Sequence, residues 1–105
     1  MTKGDIVIVE FPFTDLIYTK LRPSLILLEN RFDYVICFIT SNLKIKETYD
    51  IVLPATTLNG LKTESLLKTN KIMTIEKTHV KGKIGHLTNP EISMLNKNIT
   101  KLFKL

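Results

Sequence analysis

Apolar blocks, each closed by a polar or turn-forming stretch, recur along this chain and define most of its elements. Asp5–Phe11 (DIVIVEF) is β-branched and apolar, which predicts a strand. Pro12 closes it, because proline has no N–H to give a ladder. The polar stretch 14–23 reads as a loop, and Ser24–Leu28 (SLILL) as a second, buried strand. Glu29, Asn30 and Arg31 form a turn signal. Tyr34–Thr40 (YVICFIT) is apolar at both alternations, the pattern of a central strand covered on two faces.

The second half is more broken. Residues 41–48 (SNLKIKET) read as another long polar loop, and Tyr49–Leu53 as a short strand stopped by Pro54. Asn59-Gly60 is a turn signal. Ser65–Lys68 and Lys71–Glu76 read as two strands joined at Asn70. In the run 80–87, Gly82 and Gly85 predict a short or bulged strand. The period then changes: Ile92, Leu95, Ile99 and Leu102 are spaced 3, 4 and 3 apart, one face of a helix, which Phe103 widens. The helix starts near Pro90, with either Asn89 as its cap or Thr88 in a capping box with Glu91. Short strands followed by one helix predict a mainly β fold of α+β character: a small antiparallel barrel or strongly twisted sheet with the helix against it.

Composition changes this picture little and charge somewhat more. With 105 residues the chain has the length of one domain spanning 1–105. Such a chain buries roughly two-thirds of its unfolded surface. Hydrophobic residues at 44% and charged residues at 24% are ordinary globular usage and argue against disorder. Four glycines form no nucleotide-binding fingerprint. The longest uncharged stretch, 34–43, is too short and too polar to span a membrane. The opening residues run straight into a strand without a leader pattern. Cys37 is the single cysteine, so no internal disulfide forms. These features favour the cytoplasm and no membrane partner. The net charge is +5, carried by 15 basic against 10 acidic residues. That balance suits a nucleic-acid partner and equally a soluble basic protein.

Most standard site chemistries fail on spacing. His79 and His86 lie seven apart with Glu76 nearby, neither a helical nor a CxxC-type ligand set, so no metal is expected. Cys37, between Ile36 and Phe38, reads as a buried hydrophobe. No GxSxG elbow is present, and nothing in the spacing of Glu10, Asp15 and Glu47 selects a carboxylate pair. Arg22 remains. It precedes Pro23 at the entry to an apolar strand, with Lys20 two residues earlier and Phe11, Phe13 and Tyr18 upstream. Cations interleaved with aromatics hold phosphates and stack bases. The same pattern suits an arginine bridging a carboxylate, with Phe11 and Phe13 in the core.

Four segments, in order, match one known pattern: KGDIV at 3–7; FPFTD at 11–15 followed by KLRP at 20–23; ITS at 39–41; and SLL at 65–67 with KIMTIEK at 71–77. In these segments the chain resembles the PemK/MazF-type toxins, the ribonuclease half of bacterial toxin–antitoxin pairs, and the KLRP motif is similar to the PemK-like branch. The resemblance implies a homodimer of SH3-like antiparallel barrels and metal-independent, sequence-selective cleavage of single-stranded RNA without a cofactor. It also implies neutralisation by a cognate antitoxin with an acidic tail. By the same resemblance, Arg22 and Thr40 act on the scissile phosphate. A guanidinium supplies a fixed fork of donors for phosphate oxygens, and the Thr40 hydroxyl supplies another donor. Around them, Ser41 and Asn42 could contact phosphate or base edges, Phe13 and Tyr18 stack bases and Lys20 meet the backbone, while Lys62 and Lys77 could line the groove or be ordinary solvated lysines. Two other readings stand beside this one. A non-catalytic toxin that binds a protein, as the similar CcdB gyrase inhibitor does, shares the fold. An inactive RNA-binding barrel would show salt-sensitive binding and no product.

Overall fold

The computed structural model describes residues 1–11 and 20–105, so Phe13 and Tyr18 lie outside the described residues. In chain order the elements are β1 (Asp5–Glu10), β2 (Leu21–Glu29), β3 (Asp33–Thr40), a one-turn 3₁₀ segment (Leu43–Ile45), β4 (Ile51–Leu53), β5 (Ser65–Glu76), a second 3₁₀ turn (Lys77–His79), β6 (Val80–His86) and α1 (Asn89–Phe103). The strands form one sheet in the order β4-β5-β3-β2-β1-β6. Every neighbouring pair is antiparallel. β3 is interior, as its two-sided apolar run requires. β4 and β6 are edges that do not pair with each other, so among the described residues the sheet stays open, the twisted-sheet form of the two expected. β4 has only three residues before Pro54 and offers little ladder for closure.

Alternation sorts the core into two faces. Ile6, Leu25, Cys37, Ile39 and Leu67 pack on one side, where α1 lays Ile92, Leu95 and Ile99 against them. Val7, Val9, Phe11, Ile26, Ile36 and Ile75 pack on the other. The helix begins at the Thr88 capping box: the Glu91 amide donates to Thr88 Oγ1 at 3.3 Å and the Thr88 amide to Glu91 Oε1 at 2.8 Å. Phe103 does not widen the buried face; it is 53% exposed.

Three boundaries differ from the sequence pattern. β2 begins at Leu21 rather than Ser24, because β1 pairs with it as far as Glu10–Leu21. Pro23 is tolerated one residue beyond the last β2–β3 pair, Ser24–Phe38, where a missing N–H costs little. The two strands expected on either side of Asn70 are one, β5. Its register jumps from Phe38–Lys68 to Cys37–Ile72, which leaves 69–71 as a bulge. The bulge holds because Thr69 Oγ1 donates to the Tyr49 carbonyl at 2.9 Å while Lys68 and Asn70 bind acidic groups of the preceding loop. β6 is bulged against β1, with register shifts at Ile6/Val7 and Ile8/Val9. Asn59-Gly60 forms a tight turn packed on β6: Gly60 has φ +70°, and a Cβ on Gly85 would lie 2.3 Å from the Leu58 carbonyl oxygen.

Candidate active site

The β2–β3 ladder ends at Ser24–Phe38, and two residues further along each strand stand Arg22 and Thr40. Side chains two apart on a strand share a face, and paired residues face the same way. Arg22, Ser24, Phe38 and Thr40 therefore belong to one face, the one opposite α1. They wall a hollow of about 470 Å³ completed by Phe11, Asn42, Lys68 and Lys71. A second hollow of about 470 Å³ opens on the helix side and is lined by Leu61, Lys62, Thr63 and Ser65. Arg22 and Ser41 border both, so the guanidinium stands where the two hollows meet at the end of the sheet.

The first hollow is apolar at its base and polar at its rim. Phe11 and Phe38 pack with ring centroids 5.2 Å apart at 58°. Ser24 Oγ is buried beside them and has no hydrogen-bond partner among the described residues. An orphaned buried hydroxyl costs about 1–3 kcal/mol unless a water or ligand group meets it. At the rim, Thr40 Oγ1 accepts a hydrogen bond from the Asn42 amide at 3.1 Å. Its own proton is then directed away from Asn42 and is available to an acceptor. Asn42 Oδ1 accepts from the Lys44 amide at 3.2 Å and so caps the Leu43–Ile45 turn. Arg22 is exposed and makes no ion pair among the described residues, so the carboxylate bridge considered from the sequence is not seen there.

Beside the hollow lies a charge cluster centred on the buried Lys68–Asp50 pair, with Glu47 on its exposed side. Lys68 Nζ meets Asp50 Oδ2 at 2.5 Å, Glu47 Oε1 at 2.8 Å and the Ile45 carbonyl at 3.0 Å. Burial by itself would lower the lysine's pKa; the hydrogen bonds and charges of Asp50 and Glu47 outweigh it and hold the ammonium above its ordinary value. The hydrogen bond from Lys68, then that from Asn70, holds the Glu47 carboxyl below its ordinary value. Elsewhere, burial pushes the Cys37 thiol up to about 12, far from a reactive thiolate. No group of three or more His, Cys, Asp or Glu gathers into a ligand set among the described residues.

The remaining sequence candidates scatter. Ser41 and Asn42 reach the first hollow with Arg22 and Thr40, while Lys62 lines the second. Lys20 is exposed and lines neither. Ser65, which opens the matched SLL segment, is buried and donates to the Thr63 carbonyl at 3.0 Å. Lys77 is not brought to the hollows. It follows β5 at the end where Asp33 pairs with Glu76, and binds Glu29 at 2.9 Å over the Tyr34 ring. Ser24, Lys68 and Lys71 were missed by the sequence reading. Lys68 carried a usable signal: a lysine amid Leu66, Leu67 and Thr69 in a buried strand needs a carboxylate partner, and Asp50 stands just before the preceding strand. Lys71 carried none, since only the bulge turns it toward the hollow.

Comparison with known proteins agrees with this architecture. A search of curated protein sequences found no significant match. Among solved structures, the chain is similar to the Mycobacterium tuberculosis toxin MazF-mt6, with a TM-score of 0.79 at 22% identity over 96% of this chain and 97% of that one. It is also similar to MazF from Deinococcus radiodurans, with a TM-score of 0.77 at 14% identity over 100% and 97%. A mycobacterial endoribonuclease solved in complex with its cognate antitoxin gives a TM-score of 0.76 at 16% identity over 100% and 96%. At these identities the likeness speaks for the fold. The family model of the PemK-like, MazF-like toxins matches residues 2–103, nearly the whole chain. With that match added to the ordered segments and the twisted sheet they build, the chain belongs to the PemK-like, MazF-like toxin family of type II toxin–antitoxin systems.

Proposed function

We propose that this chain is an endoribonuclease toxin that cleaves single-stranded RNA without a metal or cofactor, with Arg22 and Thr40 acting on the scissile phosphate. The observation that carries the reading is an exposed guanidinium, free of carboxylates among the described residues, lining one hollow with a threonine hydroxyl whose oxygen accepts from the Asn42 amide. In this reaction the substrate's 2′-oxygen attacks the phosphorus as its proton is removed. The bond to the 5′-oxygen breaks, and that oxygen takes up a proton. Negative charge grows on the non-bridging oxygens, where preorganised donors act most strongly. Arg22 offers a fork of N–H groups and Thr40 one O–H. Single strands suit the site because unstacked bases can enter the hollows on either side of Arg22, one walled by Phe11 and Phe38.

The same cations suit a second occupant. Arg22, Lys62 and Lys71 line the hollows and would attract the acidic segment of a cognate antitoxin, which would then exclude RNA. A homodimer acting in the cytoplasm and a single domain over 1–105 complete the reading.

The test is incubation of purified protein with a long single-stranded RNA in EDTA, beside Arg22→Ala. Fragments with defined ends from the parent alone support the proposal. Intact RNA from folded protein, across several RNA sequences, would replace it with a toxin that binds a protein target or a barrel that binds RNA without cutting it.

A further inference from the structure

Lys68 lines the first hollow yet is only 1% exposed, and an ammonium has three protons to give. Three acceptors take them: the Ile45 carbonyl, Glu47 Oε1 and Asp50 Oδ2. No proton is left for a phosphate. What Lys68 does hold is the Leu43–Ile45 turn, through the Ile45 carbonyl. None of the turn's three side chains is buried, so it has no apolar anchor of its own. From the turn the contacts continue without a gap. The Lys44 amide donates to Asn42 Oδ1 at 3.2 Å, and the Asn42 amide donates to Thr40 Oγ1 at 3.1 Å. Asp50 steadies the far side, because its Oδ2 also accepts from the Glu47 amide at 2.7 Å.

We infer that Lys68 is a positioning residue: acting through the Leu43–Ile45 turn and Asn42, it orients the Thr40 hydroxyl toward the substrate-binding hollow. The inference rests on the proposed RNA cleavage for its kinetic reading, and on geometry alone for the rest. Asn42, which the sequence suggested as an RNA contact, acts here as the link between the buried charge and the hydroxyl. The asymmetry of the hydroxyl is the physical core of the argument. An oxygen that accepts from Asn42 places its single proton elsewhere, whereas an oxygen freed from Asn42 rotates and spends its proton on water.

The experiment is a double-mutant cycle on RNA cleavage with Lys68→Met and Thr40→Ala. Lys68→Met is expected to lower kcat about tenfold with KM nearly unchanged, and to cost almost nothing further in the Thr40→Ala background. Losses that simply multiply would make Lys68 a general structural residue and overturn the inference. Asn42→Ala, at an exposed position, is expected to repeat the pattern and carries the cycle alone if Lys68→Met does not fold. A second readout is independent of activity: the amide proton shift of Asn42 by NMR. Lys68→Met should move it while the resonances of Ile36 and Val7 stay in place. An unmoved Asn42 amide overturns the inference even in a protein that cuts no RNA, whereas a moved amide with no RNA cleavage sinks only the proposed function.

Discussion

Lys68 Nζ lies 2.5 Å from Asp50 Oδ2, and each side chain is only 1% exposed. This pair joins the bulge of β5 to the residue just before β4, and it lies beside the hollow that Arg22 and Thr40 wall. A buried charge is tolerated only with its partner, since removing one leaves the other desolvated and uncompensated. Asp50→Ala is therefore expected to destabilise the protein by about 3 kcal/mol, measured by urea unfolding. A loss below about 1 kcal/mol would mean that Glu47, at 2.8 Å, satisfies the ammonium alone.

Acid should weaken the fold before alkali does. Asp5, Glu29 and Glu47 all sit below their ordinary values of 3.8, 4.5 and 4.5. For Asp5, burial pushes upward, but the Thr2 amide and Lys83 together outweigh it. For Glu29 the main cause is the hydrogen bond from Lys77, and for Glu47 the one from Lys68. Carboxyls held low in the folded state contribute stability above their unfolded values and lose it as pH falls through the folded ones. Lys68, held high, contributes below the ordinary lysine value and loses that only as pH rises past its folded value. Unfolding free energy should thus be level near neutrality and fall below about pH 4. Glu47→Gln should flatten part of that acid limb, and an unchanged limb would remove Glu47 from the account.

Gly85 and Gly82 lie in the same strand but differ in their surroundings. A Cβ at Gly85 would meet the Leu58 carbonyl oxygen at 2.3 Å, whereas one at Gly82 would meet nothing within 4 Å. Gly85→Ala should cost about 1–3 kcal/mol because the 58–60 turn must move. Gly82→Ala should lie within about 0.5 kcal/mol of the parent. Equal melting temperatures for the two variants would show that the turn gives way freely.

Two lysines separate the groove from the rest of the surface. Lys71 lines the first hollow, while Lys77 is engaged by Glu29 at the other end of β5. If single-stranded RNA lies in the hollows, Lys71→Ala should reduce the slope of log K against log salt by about 0.7 and weaken binding across sequences. Lys77→Ala should leave the slope unchanged. A loss of slope for Lys77→Ala instead would place the RNA path over the Tyr34 end of the sheet.

Much of the fold is local and was legible in the sequence. β1 and β3 were readable from their unbroken apolar, largely β-branched runs, and α1 from its helical spacing. The Thr88–Glu91 box is a contact between residues three apart. Arg22 stood out from its local pattern, but Thr40 and its pairing with Arg22 were legible only through the resemblance, since no spacing rule links positions eighteen apart. The start of β2 was misplaced because Pro23 looks like a boundary, while pairing with β1 carries the strand through it.

What the sequence determined by itself was therefore most of the elements, the family pattern and the two residues proposed to act on phosphate. The tertiary structure decided how they meet. Among the described residues it left the sheet open, and it fused 65–76 into one bulged strand. It turned Lys71 toward the hollow, drew Lys77 away from it, and buried Lys68 against Asp50. Each of these depends on partners distant in sequence: Tyr49 and Glu47 for the bulge, Glu29 for Lys77, Asp50 for Lys68. Local propensity and periodicity act over a few residues, whereas the pairing of a buried charge acts across the fold and is settled only when the strands have come together.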